Sequence, residues 1–390
     1  MKLSARIQSL TSSPIRKLSP YADAAKAAGK KVYHLNIGQP DIKTPEQFMN
    51  SIRAYDAPVI AYSNSKGEMF LLKAIEKYYN EKGMDYTTDD IFVTNGGSEA
   101  LIMAIMALCD PDDEIMVFEP FYANYTTFCK EFGAKINAVP TSVTDGYHLP
   151  SEEEIEKHIT AKTKAILLTN PGNPTGVVYS EETIKELAAI LEKKQQEFGS
   201  VIYLISDEPY RELAYDGVEV PYLTKYYKNT VVGYSYSKSL SLPGERIGYV
   251  IVPDEVTESK TVYAAIAGAG RALGYVCAPS MFQKVIASCV GNTGDIELYR
   301  KNRDLLYDGL TKIGYECFKP QGAFYMFVKA LEPDADAFCE RAKDQDLLIV
   351  SATGFGCPGY ARVAYCVDYD MIERSFSAFE KLYQSYRKEI

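Results

Sequence analysis

Residues 235–246 read S-Y-S-K-S-L-S-L-P-G-E-R, so a single lysine, Lys238, stands in a run of serines with Arg246 close behind. The ordinary explanation is a surface loop with two solvated charges. The other is a reactive amine beside an anion-binding arginine, since a deprotonated lysine attacks carbonyl carbon. Hydroxyls grouped with a guanidinium are the donors a phosphate needs. Three more stretches carry chemistry of the same kind. N-G-G-S-E-A (95–100) puts Gly97 and Ser98 at a helix start, where free N–H groups suit an anion. N-P-G-N-P-T-G (170–176) offers the amides of Asn170 and Asn173, and D-E-P-Y (207–210) sets Asp207 near Tyr210. Taken singly, a GGS turn is often just a turn, a strand-end Asp is often an N-cap, and a strand-end lysine is often a solvated charge.

These stretches follow apolar runs of strand length: IFVTNG (91–96), EIMVFEP (114–120), KAILLTNP (164–171), VIYLISDEPY (201–210), TVVGYSYS (230–237) and RIGYVIVP (246–253). Helical patterns lie between them. Residues 99–110 are apolar nearly all round, so this helix should be buried. Residues 180–199 carry Ile184, Leu187, Ala188 and Leu191 at 3.6-residue spacing, with Ser180 as N-cap and Gly199 as stop. Strands alternating with helices predict an α/β fold around a mainly parallel sheet. In such sheets ligands bind at the carboxyl ends of the strands, where these motifs fall. After residue 275 long helical stretches (281–313, 333–345, 369–388) flank two short strands, AFYMFVK (323–329) and ARVAYCVD (361–368). That texture predicts a smaller α+β domain from 1–45 and 281–390, beside a large domain over 46–280.

The 390 residues carry a net charge of −10, which argues against nucleic acid or an anionic membrane as partner. No apolar run approaches the roughly 18 residues of a spanning helix, and MKLSARIQSLTSSPIRKL has no apolar core of a secretory leader. The eight cysteines form no CxxC pair and histidines number three, which speaks against a zinc site. Scattered through apolar segments, the cysteines fit reduced core residues in a cytoplasmic protein.

A lysine amine, a carboxylate, phosphate donors, an aromatic face and a second arginine are together what pyridoxal 5'-phosphate and a carboxylate substrate require. From Asn36 to Arg362 the chain resembles the class I aminotransferases typified by aspartate aminotransferase. The resemblance rests on S-Y-S-K-S-L-S-L-P-G-E-R-I-G, a highly specific lysine signature. NPGNPTG, DEPY, PQGAFY (320–325) and YARVAY (360–365) support it in the expected order. It implies a fold of the pyridoxal-phosphate-dependent transferase type and a role for each matching residue. Lys238 would form the Schiff base with the cofactor and later carry protons. Asp207 would face the pyridine nitrogen, and Tyr210 and Asn173 would hold the phenolic oxygen. Gly97, Ser98, Ser235, Ser237 and Arg246 would bind the phosphate, and Tyr122 would stack on the ring. Tyr62, in AYSNSKG, resembles a tyrosine that reaches a neighbouring subunit's phosphate, implying a homodimer with shared sites. Arg362, helped by Gly38 and Asn173, would clamp the substrate's α-carboxylate.

The reaction implied moves an amino group from an L-amino acid to a 2-oxo acid with ping-pong kinetics. A C–S β-lyase or a decarboxylating or synthase relative on the same scaffold stays open. A transcription regulator with such a domain would need an added DNA-binding domain and a basic patch. Aspartate with 2-oxoglutarate is the first expectation for substrate, and aromatic or alanine-type donors are the alternative. A dicarboxylate needs a second cation. Arg271, Lys66 and Arg16 are the residues that could supply it, while Tyr62, Tyr122 and Tyr125 could line an apolar pocket instead.

Overall fold

A computed structural model of the chain describes residues 3–4, 7–8 and 15–387, and of Arg16 only the backbone. Much of the N-terminal stretch read above for a leader, and Lys388 at the end of the predicted last helix, lie outside the described residues. All six apolar runs become strands of one sheet. A seventh strand completes it, in the order Ile91–Thr94, Gly248–Ile251, Thr230–Ser235, Tyr203–Asp207, Thr163–Thr169, Glu114–Glu119 and Lys135–Pro140. Gly248–Ile251 runs antiparallel to both neighbours and the other pairings are parallel. The fold is therefore α/β, with a mixed, mainly parallel sheet covered by helices. Covering on both faces is why the inner strands read as unbroken apolar runs rather than alternating ones. Lys135–Pro140 was not among the expected strands. It sits at the edge, starts with an exposed lysine and ends in proline, so KINAVP has no apolar run to betray it.

Alternate side chains of these strands enter different cores, as the two-residue period requires. Ile115, Val117, Ala165, Leu167 and Ile205 pack with helix Gly97–Leu108 and helix Ser259–Ala272. Met116, Phe118, Ile166, Leu168 and Leu204 pack with Ile184, Leu187, Ala188 and Leu191 of helix Glu181–Phe198. Each fully buried Leu or Ile contributes roughly 1.5–3 kcal/mol relative to exposure. Helix Gly97–Leu108 is apolar around most of its circumference because sheet, loops and a second helix surround it. Helix Glu181–Phe198 starts where Ser180 Oγ accepts the Thr183 N–H at 3.2 Å and stops at Gly199, whose φ is +63°.

Beyond residue 275, Tyr325–Lys329 and Tyr360–Ala364 pair antiparallel, as a three-stranded sheet with Val350–Ser351. Tyr33–His34 pairs parallel with Leu347–Leu348. The stretch 281–313, read as one helical region, is two helices, Ser280–Ala287 and Ile296–Ile313. Gly291, at φ +84°, lies in the break, and Asp295 caps the second helix by accepting the Leu298 N–H at 3.1 Å. The first helix packs beside helix Met69–Asn80 and the second beside helix Tyr369–Arg387. Tyr210 and Leu213, just past strand Tyr203–Asp207, share a core with Phe324, Tyr325 and Ala361, which fixes the second sheet against the strand ends of the first. Among the described residues no helix is long and apolar enough to cross a membrane.

Candidate active site

Four parallel strands, ending at Thr94, Thr169, Asp207 and Ser235, stop at one edge of the large sheet. A cavity of about 360 Å³ opens there. Strand Thr230–Ser235 runs directly into a one-turn helix, Tyr236–Ser239. Ser235 Oγ accepts the Ser237 N–H at 3.2 Å and donates to Ser237 Oγ at 2.7 Å, which ties down the turn carrying Lys238. Lys238 Nζ donates to the Gly38 carbonyl at 2.6 Å and lies 5.3 Å from the Phe324 ring centroid. Burial pushes its ammonium down to about 8, and the cations Arg362 and Arg246 push the same way against Cys366 and Asp207. Such an amine is partly neutral near neutral pH.

Asp207 is the last residue of its strand and is buried. It accepts the Tyr125 hydroxyl at 2.6 Å, with the Thr169 hydroxyl at 3.5 Å. Burial raises its carboxyl to about 7, against the Tyr125 hydrogen bond. A cation placed beside it would restore the ionised form.

Arg362 faces this group from the second sheet, in the middle of strand Tyr360–Ala364, and is only 1% exposed. Its Nη1 donates to Asn173 Oδ1 at 3.2 Å and its Nη2 to the Asn36 carbonyl at 3.1 Å. The guanidinium lies between the rings of Tyr325 and Phe355, 4.2 and 4.9 Å from their centroids. Nε has no partner, and among the described residues no carboxylate pairs with Arg362. A buried cation held only by neutral groups is costly until an anion joins it.

Arg246 closes the other end of the cavity. Its backbone is left-handed, with φ +52°, and its guanidinium donates to the Pro243 and Asn95 carbonyls at 3.0 and 3.3 Å and to Ser237 Oγ at 3.5 Å. It lies over the start of helix Gly97–Leu108. A Cβ on Gly96, where φ is +88°, would come within 2.5 Å of Arg246 Nη2, so only glycine lets the arginine lie there. Glu99 fixes that turn by accepting from the backbone N–H of Asn95 and from its side-chain amide. Gly97, Ser98, Ser235, Ser237 and Arg246 thus surround one end with donors and a positive helix end, which suits a phosphate.

The remaining residues complete the walls. Asn173 Nδ2 lies 3.5 Å from the Tyr210 hydroxyl, which is 3.1 Å from that of Tyr325. Tyr122 lines the cavity, its ring edge-on to Tyr125 at 5.4 Å. Of the thirteen residues singled out in the sequence, the cavity wall gathers all but Tyr62, which is 90% exposed and does not line it. Of the suggested second cations, Lys66 is paired with Asp89 at 2.9 Å and Arg271 is exposed, and neither lines the cavity. The side chain of Arg16 lies outside the described residues. Sequence reasoning overlooked Ile15, Ile37 and Tyr325 as lining residues and Tyr125 as the partner of Asp207. Tyr325 closes the PQGAFY motif, and Tyr125 follows Tyr122 by one helical turn, so both carried a readable signal. Ile15 and Ile37 carried none.

Residues 30–379 match the family of class I and II aminotransferases. A solved amino transferase of Eubacterium rectale superposes with a TM-score of 0.93, at 49% identity over 99% of each chain. The aspartate aminotransferase of Thermotoga maritima is 30% identical over 97% of this chain and 98% of its own. The solved Thermus thermophilus aspartate aminotransferase with maleate has a TM-score of 0.89, at 27% identity over 98% of this chain and all of its own. A lysine with a lowered pKa, a buried carboxylate and an unpaired buried arginine thus meet in one cavity of a chain that belongs to the class I and II aminotransferases.

Proposed function

We propose that this cavity holds pyridoxal 5'-phosphate and transfers the amino group of L-aspartate to 2-oxoglutarate. The observation that carries the reading is Arg362, a buried guanidinium without a carboxylate, facing the same cavity as Lys238 and Asp207. Its planar fork matches a carboxylate with two parallel hydrogen bonds. The residues present fit the cofactor. Gly97, Ser98, Ser235, Ser237 and Arg246 would hold its phosphate, Tyr210 and Asn173 its phenolic oxygen, and Tyr122 one face of its ring. Bound pyridoxal phosphate supplies an aldehyde that takes up amino groups and a ring that accepts the electron pair left at the substrate's Cα.

The chain's own residues do the rest. Arg362, Asn173 and Gly38 orient the substrate through its α-carboxylate. Lys238 Nζ, neutral once its depressed ammonium has lost a proton, removes the α-proton of the substrate. Asp207 keeps a proton on the ring nitrogen, since a buried carboxylate regains its charge beside a cation.

The aspartate assignment draws on the relatives named as aspartate aminotransferases. A neutral or aromatic donor is the second reading. It is favoured by Ile15, Ile37 and Tyr122 on the wall, where Lys238, Arg246 and Arg362 are the cations among the described residues. We place the enzyme in the cytoplasm as a homodimer, a second copy covering the exposed Val59, Ile60 and Tyr62 and bringing Tyr62 to its neighbour's phosphate. Residues 46–280 would form the cofactor-holding body. The visible spectrum of the purified protein, recorded before and after aspartate alone, tests the reading. A yellow band that bleaches, and is lacking in Lys238→Ala, is expected. A protein that stays colourless after incubation with pyridoxal phosphate would overturn it. Rates with aspartate, phenylalanine and alanine separate the two substrate readings.

A further inference from the structure

We infer that Tyr325 is a positioning residue that couples the carboxylate-binding arginine to Tyr210, an inference resting on the function proposed above. Four side chains form a closed circuit. Arg362 Nη1 donates to Asn173 Oδ1 at 3.2 Å, Asn173 Nδ2 lies 3.5 Å from the Tyr210 hydroxyl, and the Tyr210 and Tyr325 hydroxyls are 3.1 Å apart. The ring of Tyr325 returns to the start, with the Arg362 guanidinium 4.2 Å from its centroid. Asn173, Tyr210 and Arg362 have roles in the function proposed above, and Tyr325 alone has none.

Tyr325 is held on every side. Its hydroxyl lies 1.8 Å from where a Cβ on Gly38 would stand, so glycine there is a seat for the phenol. The carbonyl of that same Gly38 accepts from Lys238 Nζ at 2.6 Å. The loop leading to Tyr325 is pinned to the loop bearing Asn173, because the Gly176 carbonyl accepts the N–H groups of both Gln321 and Gly322 at 2.9 Å. A Cβ on Gly176 would meet Pro320 at 2.3 Å. The two motifs are therefore joined directly, backbone to backbone.

The two parts of Tyr325 do different things. Either hydroxyl could donate across the Tyr210–Tyr325 contact. Once Tyr210 turns its proton to an oxygen in the cavity, Tyr325 must be the donor within the pair. A donor behind Tyr210 strengthens it through cooperative polarisation. The ring works separately, since its face holds a desolvated guanidinium in place.

The test starts with wild-type protein loaded with pyridoxal phosphate, whose visible band is titrated with pH. In Tyr325→Phe the hydroxyl is lost and the ring kept. Its band midpoint should move up by roughly half a unit, because a weaker Tyr210 donor stabilises the ionised phenolic oxygen less. The KM for the amino acid should change less than about twofold, since the ring remains. In Tyr325→Leu the ring goes too, and the KM should rise about tenfold. A Phe variant with the wild-type midpoint would overturn the coupling, as would a Leu variant with the wild-type KM. Circular dichroism and the thermal midpoint check folding. If the Leu variant does not fold, the band of the Phe variant decides alone. A wild-type protein that takes up no cofactor would instead remove the function itself, and this inference with it.

Discussion

Arg246 and Arg362 both face the cavity, yet they are held in opposite ways. Arg246 is exposed, sits in a loop eight residues after Lys238, and donates to carbonyls and a serine within reach of its own turn and the adjoining helix start. Arg362 is buried mid-strand, and its partners Asn173 and Asn36 are 189 and 326 residues away in the chain. An exposed cation is screened and can wait in water for its anion. A buried one cannot, and its unpaired Nε marks where an anion belongs. The difference teaches that the Arg246 end of the cavity, the proposed phosphate site, is built by local turns, whereas the Arg362 end, the proposed carboxylate site, is built by docking one sheet against the other.

The largest effect lies outside that contrast and calibrates it. Replacing Lys238 by alanine would remove the proposed nucleophile and base, and transamination should fall by about 10⁴-fold or more, measured as 2-oxo acid released in a single turnover. Arg362→Lys comes next. A lysine keeps the charge but not the fork, so kcat/KM for the amino acid should drop by about 100-fold, carried mostly by KM. Arg246→Lys should leave that KM within about twofold and raise the dissociation constant of pyridoxal phosphate roughly tenfold, followed by cofactor titration. Equal effects of the two arginine variants on substrate KM would erase the asymmetry.

A smaller effect sharpens it through pH. In cofactor-free protein, uptake of pyridoxal phosphate needs the neutral Lys238 amine. Its rate should therefore rise as pH rises through about 8. Both arginines lower the lysine's pKa, Arg362 more than Arg246. Removing a positive neighbour favours the ammonium, so Arg362→Gln should shift this profile to higher pH further than Arg246→Gln does. Stopped-flow absorbance over pH 6–10, a window of about two units on either side of the midpoint, would follow it. A larger shift in the Arg246 variant would reverse the order.

Tyr125→Phe gives the smallest expected loss. Asp207 would keep only the longer Thr169 contact, and the rate should fall about fivefold, the cost of one hydrogen bond to a charged group shared with a remaining donor. An unchanged rate would show that the cofactor's own proton suffices to hold Asp207.

Much of the site could be read without a structure because its parts are local. Ser235, Ser237 and Lys238 share one turn, Gly97 and Ser98 open one helix, and Asp207 and Tyr210 flank one strand end. The single cavity follows from a rule about where parallel strands finish. What could not be read has a common cause. Lys135–Pro140 is an edge strand with little apolar character, and the break near Gly291 depends on which helices the two halves pack against.

By itself the sequence determined which reactive side chains stand at each strand end, the alternation of strands and helices, and the membership that its lysine signature announces. These are written in short windows, where backbone periodicity and turn preference act over a few residues. Only the tertiary structure decided that Gly248–Ile251 would run antiparallel, that Tyr125 would bond to Asp207, and that Tyr325 would rest on Gly38 between Tyr210 and Arg362. Those choices depend on which buried surfaces meet, and a buried hydroxyl or guanidinium takes whatever partner packing brings within reach.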